Sequence, residues 1–537
     1  MSQSNNYNEP LLHYASGSSE RSALEKAIQE LKSQVLDIPQ FIDGKEIRTN
    51  DRHEIRPPHE LSHTLGYFHR GNSQHVQQAI DAALKAKNDW MNKSIEARCA
   101  IFSRAAELLA TKYRFKINAA TMLCQSKNAY QAEIDAACEL IDFLRIHVHF
   151  YKEINAIQPF SPEGIHNYSD YRPLEGFILA ITPFNFTAIA GNLPTAPALM
   201  GNTVVWKPAF TQIYSAWVIM QVLQEAGLPD GVINLIYTDG PETGDIVFKH
   251  PQFGGLHYTG STQVFDHLWK TISDNLPHYK SYPRIVGETG GKDFVLAHSS
   301  ANVQALSIAL IRGAFEFQGQ KCSAASRAYI PKSLWDQVQD TLLDILKQVK
   351  TGTVEDFSCF VNAVIDERAF DKIMSYIQYA HESNTAAVIA GGTGNKNKGY
   401  FIQPTTVQVT DPMHKLMQEE IFGPVLSVYV YEDQQFEETL ALINTTSPYA
   451  LTGALFADDE QVLQDVLIKL RFAAGNFYIN DKPTGAVVNQ QPFGGARRSG
   501  TNDKAGSMLN LLRWTSPRSI KRNFQPPTQY DYPFMKL

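Results

Sequence analysis

"GFILAITPF" (176–184) and "GNTVVWKP" (201–208) are short apolar runs bounded by glycine or proline, the pattern of strands buried on both faces. The helical segment "YSAWVIMQVLQEAG" (214–227) stops at Gly227, ahead of Pro229. "GVINLIYTD" (231–239) reads as a third strand and "GGLHYTGS" (254–261) as a fourth. Strands alternating with helices pair in parallel through right-handed crossovers, so the fold class is α/β. A second α/β region follows from about Ile285, with "KDFVLAH" (292–298), "RAYIPKS" (327–333) and "PVLSVYVYED" (424–433) as strand candidates. Upstream, "SQHVQQAIDAALKAKNDWM" (73–91) sets Val76, Ile80, Ala83 and Leu84 on one helical stripe.

Two pieces fit neither region. "HVHFYKEINAIQPFSPEGIHNYSDYRPLEGF" (147–177) reads as strand, turn, strand, and "TSPRSIKRNFQPPTQYDYPFMKL" (515–537) as an extended, proline-marked tail. Paired strands projecting from the body leave open edges, and a subunit partner is the economical cover for them.

The chain has 537 residues, room for two or three domains with substantial cores. Apolar residues make up 43% and charged ones 19%, a globular composition. The net charge of −7 is spread along the sequence without a basic stripe, which argues against nucleic-acid and anionic-membrane partners. No apolar run approaches the length of a membrane span. The cysteines (Cys99, Cys124, Cys138, Cys322, Cys359) are odd in number, form no CxxC pair and fit a reducing compartment. No metal site is expected. The first Lys or Arg is Arg21, after Glu9 and Glu20, which makes a poor secretory or transit segment and points to the cytoplasm.

"FEFQGQKCSAASRAYI" (315–330) puts Cys322 in a polar loop after a helical stretch. Most free cysteines are buried structural thiols; a nucleophile needs partners to activate it. "VGETGGKDF" (286–294) offers Glu288 among glycines and apolar strands, where an apolar cleft would raise its pKa toward that of a general base. A solvated loop charge is the ordinary alternative. "ITPFNFTAIAGN" (181–192) holds Asn185 between Phe184 and Phe186, an amide suited to donating to an oxyanion. "HYTGSTQVFDHLWKTI" (257–272) sets Gly260 and Ser261 at a helix start, a weak phosphate signal without GxGxxG. "GGTGNKNKG" (391–399) lacks the Gly-Lys-Ser/Thr ending of a phosphate loop and reads as a solvated turn.

Taken in order, "PFNF" (183–186), "VVWKP" (204–208), "TGS" (259–261), "ETGGK" (288–292), "GQKCSA" (319–324) and "EEIFGPV" (419–425) resemble the aldehyde dehydrogenase superfamily across nearly the whole chain. "NDKPTGAVVNQQPFGGARRSGTNDKAG" (480–506), "RWTSPR" (513–518) and "EIDAACELIDFLR" (133–145) resemble its glutamate-semialdehyde-oxidising branch. The resemblance implies a Rossmann-like NAD domain, an α/β catalytic domain and a small β oligomerisation flap. It divides the chain into an N-terminal arm with the first part of the NAD domain (1–149), an oligomerisation hairpin (150–172), the rest of the NAD domain (173–285), a catalytic domain with a substrate anchor loop (286–513) and an oligomerisation tail (514–537).

The activity so implied is oxidation of L-glutamate 5-semialdehyde to glutamate, in proline degradation, through a thioester on Cys322. Asn185 would hold the oxyanion and Glu288 would activate water. For NAD the resemblance implies Lys207 and Glu420 at the riboses, Gly260, Ser261, Thr262, Gln263 and Val264 at the pyrophosphate, and Phe422. For substrate it implies Thr182, Phe186, Ser323, Gly485, Ala486, Phe493 and Glu139, the last toward the α-ammonium. It implies a homodimer or higher homo-oligomer and, for eukaryotic members, the mitochondrial matrix as the alternative compartment. After Lys207–Pro208 the chain carries Ala209 and Phe210 where many relatives hold an acidic residue, so these positions do not separate NAD from NADP. Arg498 also departs from the pattern and has no sequence-level account. The nearest rival is another semialdehyde dehydrogenase, such as one for succinate semialdehyde, lacking the 485–493 anchor. A cysteine hydrolase would want a histidine base, and a fold-retaining inactive protein would have no need of Cys322, Glu288 and Asn185 together.

Overall fold

A computed structural model describes residues 7–536. Its first seven-stranded sheet runs Arg284–Glu288, Phe253–Thr259, Phe177–Thr182, Val204–Pro208, Ile233–Leu235, Gln40–Ile42, Lys45–Ile47. The first five strands are parallel, and the two from the N-terminal region pair antiparallel. Counted from Phe177–Thr182, the chain moves outward one way through Val204–Pro208 and Ile233–Leu235. It then returns to the other side through Phe253–Thr259 and Arg284–Glu288. The order therefore reverses between Phe177–Thr182 and Phe253–Thr259, and such a switch point opens a crevice at the C-terminal ends of the strands. Buried apolar residues from helices on both faces cover this sheet.

The second seven-stranded sheet runs Ala386–Ala390, Thr405–Val409, Val425–Tyr431, Ala325–Pro331, Asp293–Ala297, Thr452–Phe456, Asn476–Ile479, parallel except for Ala386–Ala390. Its two faces carry separate apolar cores. One sheet ends at Glu288 and the other begins at Asp293. The C-terminal edge of the first thus faces the N-terminal edge of the second across Thr289–Lys292.

The hairpin expected within 150–172 takes another form. Residues 147–156 belong to the helix Leu140–Ala156, because Leu140, Leu144, Val148, Tyr151 and Ile154 bury at helical spacing. Only Ile165–Pro173 is a strand, and its partner is Thr515–Asn523 from the tail, antiparallel over the full length of both. The glycine-rich 391–399 stretch is mostly exposed and closes a small hairpin between Gly394–Asn395 and Phe401–Ile402. The segment 187–199, not read as an element in the sequence, is a fully buried helix in spite of Pro194 and Pro197.

Candidate active site

The Thr289–Lys292 crossing needs glycine for close approach. A Cβ on Gly290 would lie 2.5 Å from the Glu420 carboxylate, and one on Gly291 would lie 2.2 Å from the Cys322 carbonyl. The Gly291 N–H donates to Glu420 Oε1 at 2.9 Å. Glu288, Glu420 and Cys322, far apart in sequence, therefore converge on one linker.

Cys322 follows the helix Val303–Phe315 through an unusual turn. Phe317, Gln318 and Gly319 all take left-handed φ values, of 51°, 55° and 66°. For the two non-glycine residues this costs roughly 1–2 kcal/mol each, so the surroundings must over-determine the turn. Gln318 does so. Its amide donates to the carbonyls of Ser126 (3.0 Å) and Ala363 (2.7 Å) and accepts from the Asn362 N–H (2.9 Å). Asn185 joins the same loop by donating to the Gln320 carbonyl at 3.1 Å.

Burial pushes the Cys322 thiol well up, and the carboxyls of Glu288, Asp293 and Glu420 push the same way. Burial also lifts Glu288, to about 8, with Lys504 opposing and Asp503 reinforcing. A carboxyl tuned near neutrality beside a thiol is suited to proton transfer.

Glu139, Glu288 and Phe493 line one cleft, with Phe143, His257 and Asp503. Glu139 sits at the end of a π-helical segment, Glu133–Glu139, rather than on a regular helix. Burial and then Asp135 raise its carboxyl, while Lys127 opposes. Phe186 lies under the Lys127 ammonium (4.3 Å), which also stands 4.4 Å over Phe317 and pairs with Asp135 at 2.6 Å. Asp135 in turn accepts from the N–H groups of Thr187 and Ala188, both at 3.0 Å, capping the Thr187–Leu199 helix. The sequence reading missed Lys127 and Asp135, and the pairing is visible only in three dimensions.

Ser323 shares a hydrogen bond of 2.7 Å with Thr484, so the residue after Cys322 is tied to the residue before Gly485. Gly485 has φ +92° and is exposed, and Ala486 follows half-buried. Phe493 is pinned by reciprocal backbone bonds with Ala505. The Thr182 hydroxyl accepts from the Trp206 indole at 3.0 Å at the end of the first sheet.

At the switch point, Ser261 caps the helix Thr262–Asp274 by accepting from the Val264 N–H, leaving Gln263 and Val264 exposed on the first turn. The Gly260 N–H donates to the Glu288 carbonyl (3.2 Å), and the Thr262 hydroxyl accepts from the Gly290 N–H (3.4 Å). Burial lowers the Lys207 ammonium to about 8, and it lies 5.4 Å over the Phe210 ring. Phe422, at φ 61°, packs edge-on to Phe184 and lines a second cavity with Glu420. The structure also accounts for Arg498, which pairs with Asp266 on the Thr262–Asp274 helix while its carbonyl accepts from the Thr289 hydroxyl at 2.6 Å.

Two facing, mostly parallel sheets with a cysteine, a tuned glutamate and a dinucleotide-type crevice at their junction define a class of oxidoreductase, and the family model agrees. Residues 46–520 match the aldehyde dehydrogenase family, and the chain belongs to it. It is 51% identical over 531 residues, 98% of this chain and 95% of the other, to the mitochondrial delta-1-pyrroline-5-carboxylate dehydrogenase of Dictyostelium discoideum. It is 46% identical to the human mitochondrial protein of that name, over 98% of this chain and 94% of the relative. The NAD-bound delta-pyrroline-5-carboxylate dehydrogenase of Mycobacterium tuberculosis superposes with a TM-score of 0.95 at 51% identity, covering 99% of this chain and 98% of that one.

Proposed function

We propose that the chain oxidises L-glutamate 5-semialdehyde, the open form of Δ1-pyrroline-5-carboxylate, to L-glutamate with NAD, the second step of proline degradation. The observation that carries this reading is the Ser323–Thr484 hydrogen bond, which holds the positive-φ backbone at Gly485 beside the reactive cysteine. Consecutive N–H groups at such a turn converge on an anion, here the substrate carboxylate.

The residues present fit a dinucleotide. A capped helix start at Ser261 suits the pyrophosphate, and the Lys207 ammonium and Glu420 carboxylate suit ribose hydroxyls, with Phe422 beside Glu420. When bound, the cofactor supplies the hydride acceptor that turns a thiohemiacetal into a thioester. In this reading the Cys322 thiol gives its proton to solvent water and the resulting thiolate sulfur adds to the aldehyde carbon. The new oxyanion receives hydrogen bonds from the Asn185 amide and the Cys322 N–H. Glu288 takes a proton from the water that attacks the thioester carbon, the C–S bond breaks, and the sulfur is released for the next cycle. Phe186 and Phe493 flank the substrate methylenes, and Glu139 meets the α-ammonium.

The first sheet would serve as the NAD domain and the second as the catalytic domain. The ribbon of Ile165–Pro173 and Thr515–Asn523 would join subunits in a homodimer or larger homo-oligomer. The cytoplasmic expectation competes with the mitochondrial location in the names of eukaryotic relatives, and cell fractionation decides between them.

The test is NADH formation with Δ1-pyrroline-5-carboxylate, succinate semialdehyde and propanal. The first should lead in kcat/KM, and a lead by succinate semialdehyde would replace this reading with the rival one. Cys322→Ala should lower turnover at least about a thousandfold, on the order of 4 kcal/mol, while NAD binding persists. Substantial activity in that variant would refute the covalent mechanism.

A further inference from the structure

The N-terminal segment 7–14 lies across the molecule and touches two parts of the candidate substrate site at once. The Asn8 side-chain amide donates to Asp142 Oδ2 and to the Val488 carbonyl, both at 2.8 Å, and its oxygen accepts from Gln490 at 3.1 Å. The Glu9 N–H donates to Asp142 Oδ1 at 2.6 Å, and its carboxylate bridges Arg114 and Arg145. The Leu12 N–H and the Tyr14 hydroxyl both donate to Glu133, which also pairs with Arg114. Glu133 opens the π-helical segment that Glu139 closes, and Val488 and Gln490 belong to the loop that follows Gly485.

A π-helical turn carries one residue more than the regular helix and is rare, occurring mostly as a single turn inside an α-helix. Here its first residue is held from outside by Leu12 and Tyr14, and the loop opposite it is held by Asn8. We propose that residues 7–14 form a strap that fixes the spacing between Glu139 and the 485–493 loop, with Asn8 as the positioning residue. The strap would thereby select substrates carrying both an ammonium and a carboxylate on the same carbon. This inference rests on the substrate reading above.

Asn8→Ala should raise KM for glutamate semialdehyde about tenfold, the worth of the lost hydrogen bonds, with kcat nearly unchanged. Oxidation of hexanal, which has neither charged group, should be unaffected. Hydrogen exchange of the 485–491 amides should speed up while the sheets keep their protection. Asn8→Asp, similar in size but facing Asp142 with a second carboxylate, should shift KM at least as far. Unchanged exchange in 485–491, or parallel losses with both substrates, would overturn the strap. A wild-type enzyme that prefers hexanal would instead sink the substrate reading, and the exchange measurement would still decide the strap.

Discussion

Glu288 shows how a site residue acquires its chemistry from its surroundings. An exposed glutamate is ionised at neutral pH, but here burial outweighs the attraction of Lys504 and the carboxyl titrates near 8. Below that pH it is mostly protonated and cannot accept a proton, and above it the base form dominates. Steady-state turnover should therefore rise from pH 6 to 9 with an inflection near 8. Glu288→Gln should remove that inflection. Only water attack on the thioester needs the base in the proposed scheme, so the variant should give a rapid burst of NADH and then a steady state slower by about 10²–10⁴-fold. Loss of the burst itself would mean that Glu288 activates the thiol instead. Cys322 and Glu288 were both legible as candidates in the sequence, Glu288 from the glycines and apolar strands around it and both from the order of motifs that resembles the family. Lys127 was not, since nothing near it in the chain announces a lysine held between two phenylalanine rings.

At the scale of elements, the loop after Asn476–Ile479 carries the specificity argument. Charge-assisted hydrogen bonds from its N–H groups to a carboxylate are worth roughly 1.5–3 kcal/mol each. A branched side chain at Gly485, at φ +92°, would add strain of about 1–3 kcal/mol. Gly485→Val should raise KM for glutamate semialdehyde and leave propanal nearly untouched. Equal losses with both substrates would make the loop merely structural. Helices and strands with strong periodicity, such as Ser73–Met91 and Phe177–Thr182, follow the sequence pattern closely. The pattern fails where tertiary packing overrides it. The Thr187–Leu199 helix tolerates two prolines with its first N–H groups capped by Asp135, and residues 147–156 are helical because one face is buried.

For the whole molecule, the two-stranded ribbon stands outside both sheets, and a ribbon of this kind is marginal alone. Phe524, Tyr530, Tyr532, Phe534 and Met535 beyond it are all exposed. Trp514 is buried, and its carbonyl accepts from Asn202 at 2.9 Å, so the core ends there. A chain cut after Trp514 should lose oligomeric mass in light scattering while its thermal unfolding stays cooperative. An unchanged mass would remove the ribbon from the assembly.

By itself the sequence determined the α/β class, the family and the order of the motifs, because periodicity and short motifs are local properties of the chain. Tertiary structure decided what those motifs do to one another. Glu288, Glu420 and Cys322 meet because only four residues separate the end of one sheet from the start of the next, with glycine where the chains approach most closely. The ribbon pairs residues more than three hundred positions apart, and the π-helical turn is hydrogen-bonded to a segment over a hundred residues upstream. Such pairings arise from burial and hydrogen-bond satisfaction among distant groups, which no window of sequence contains.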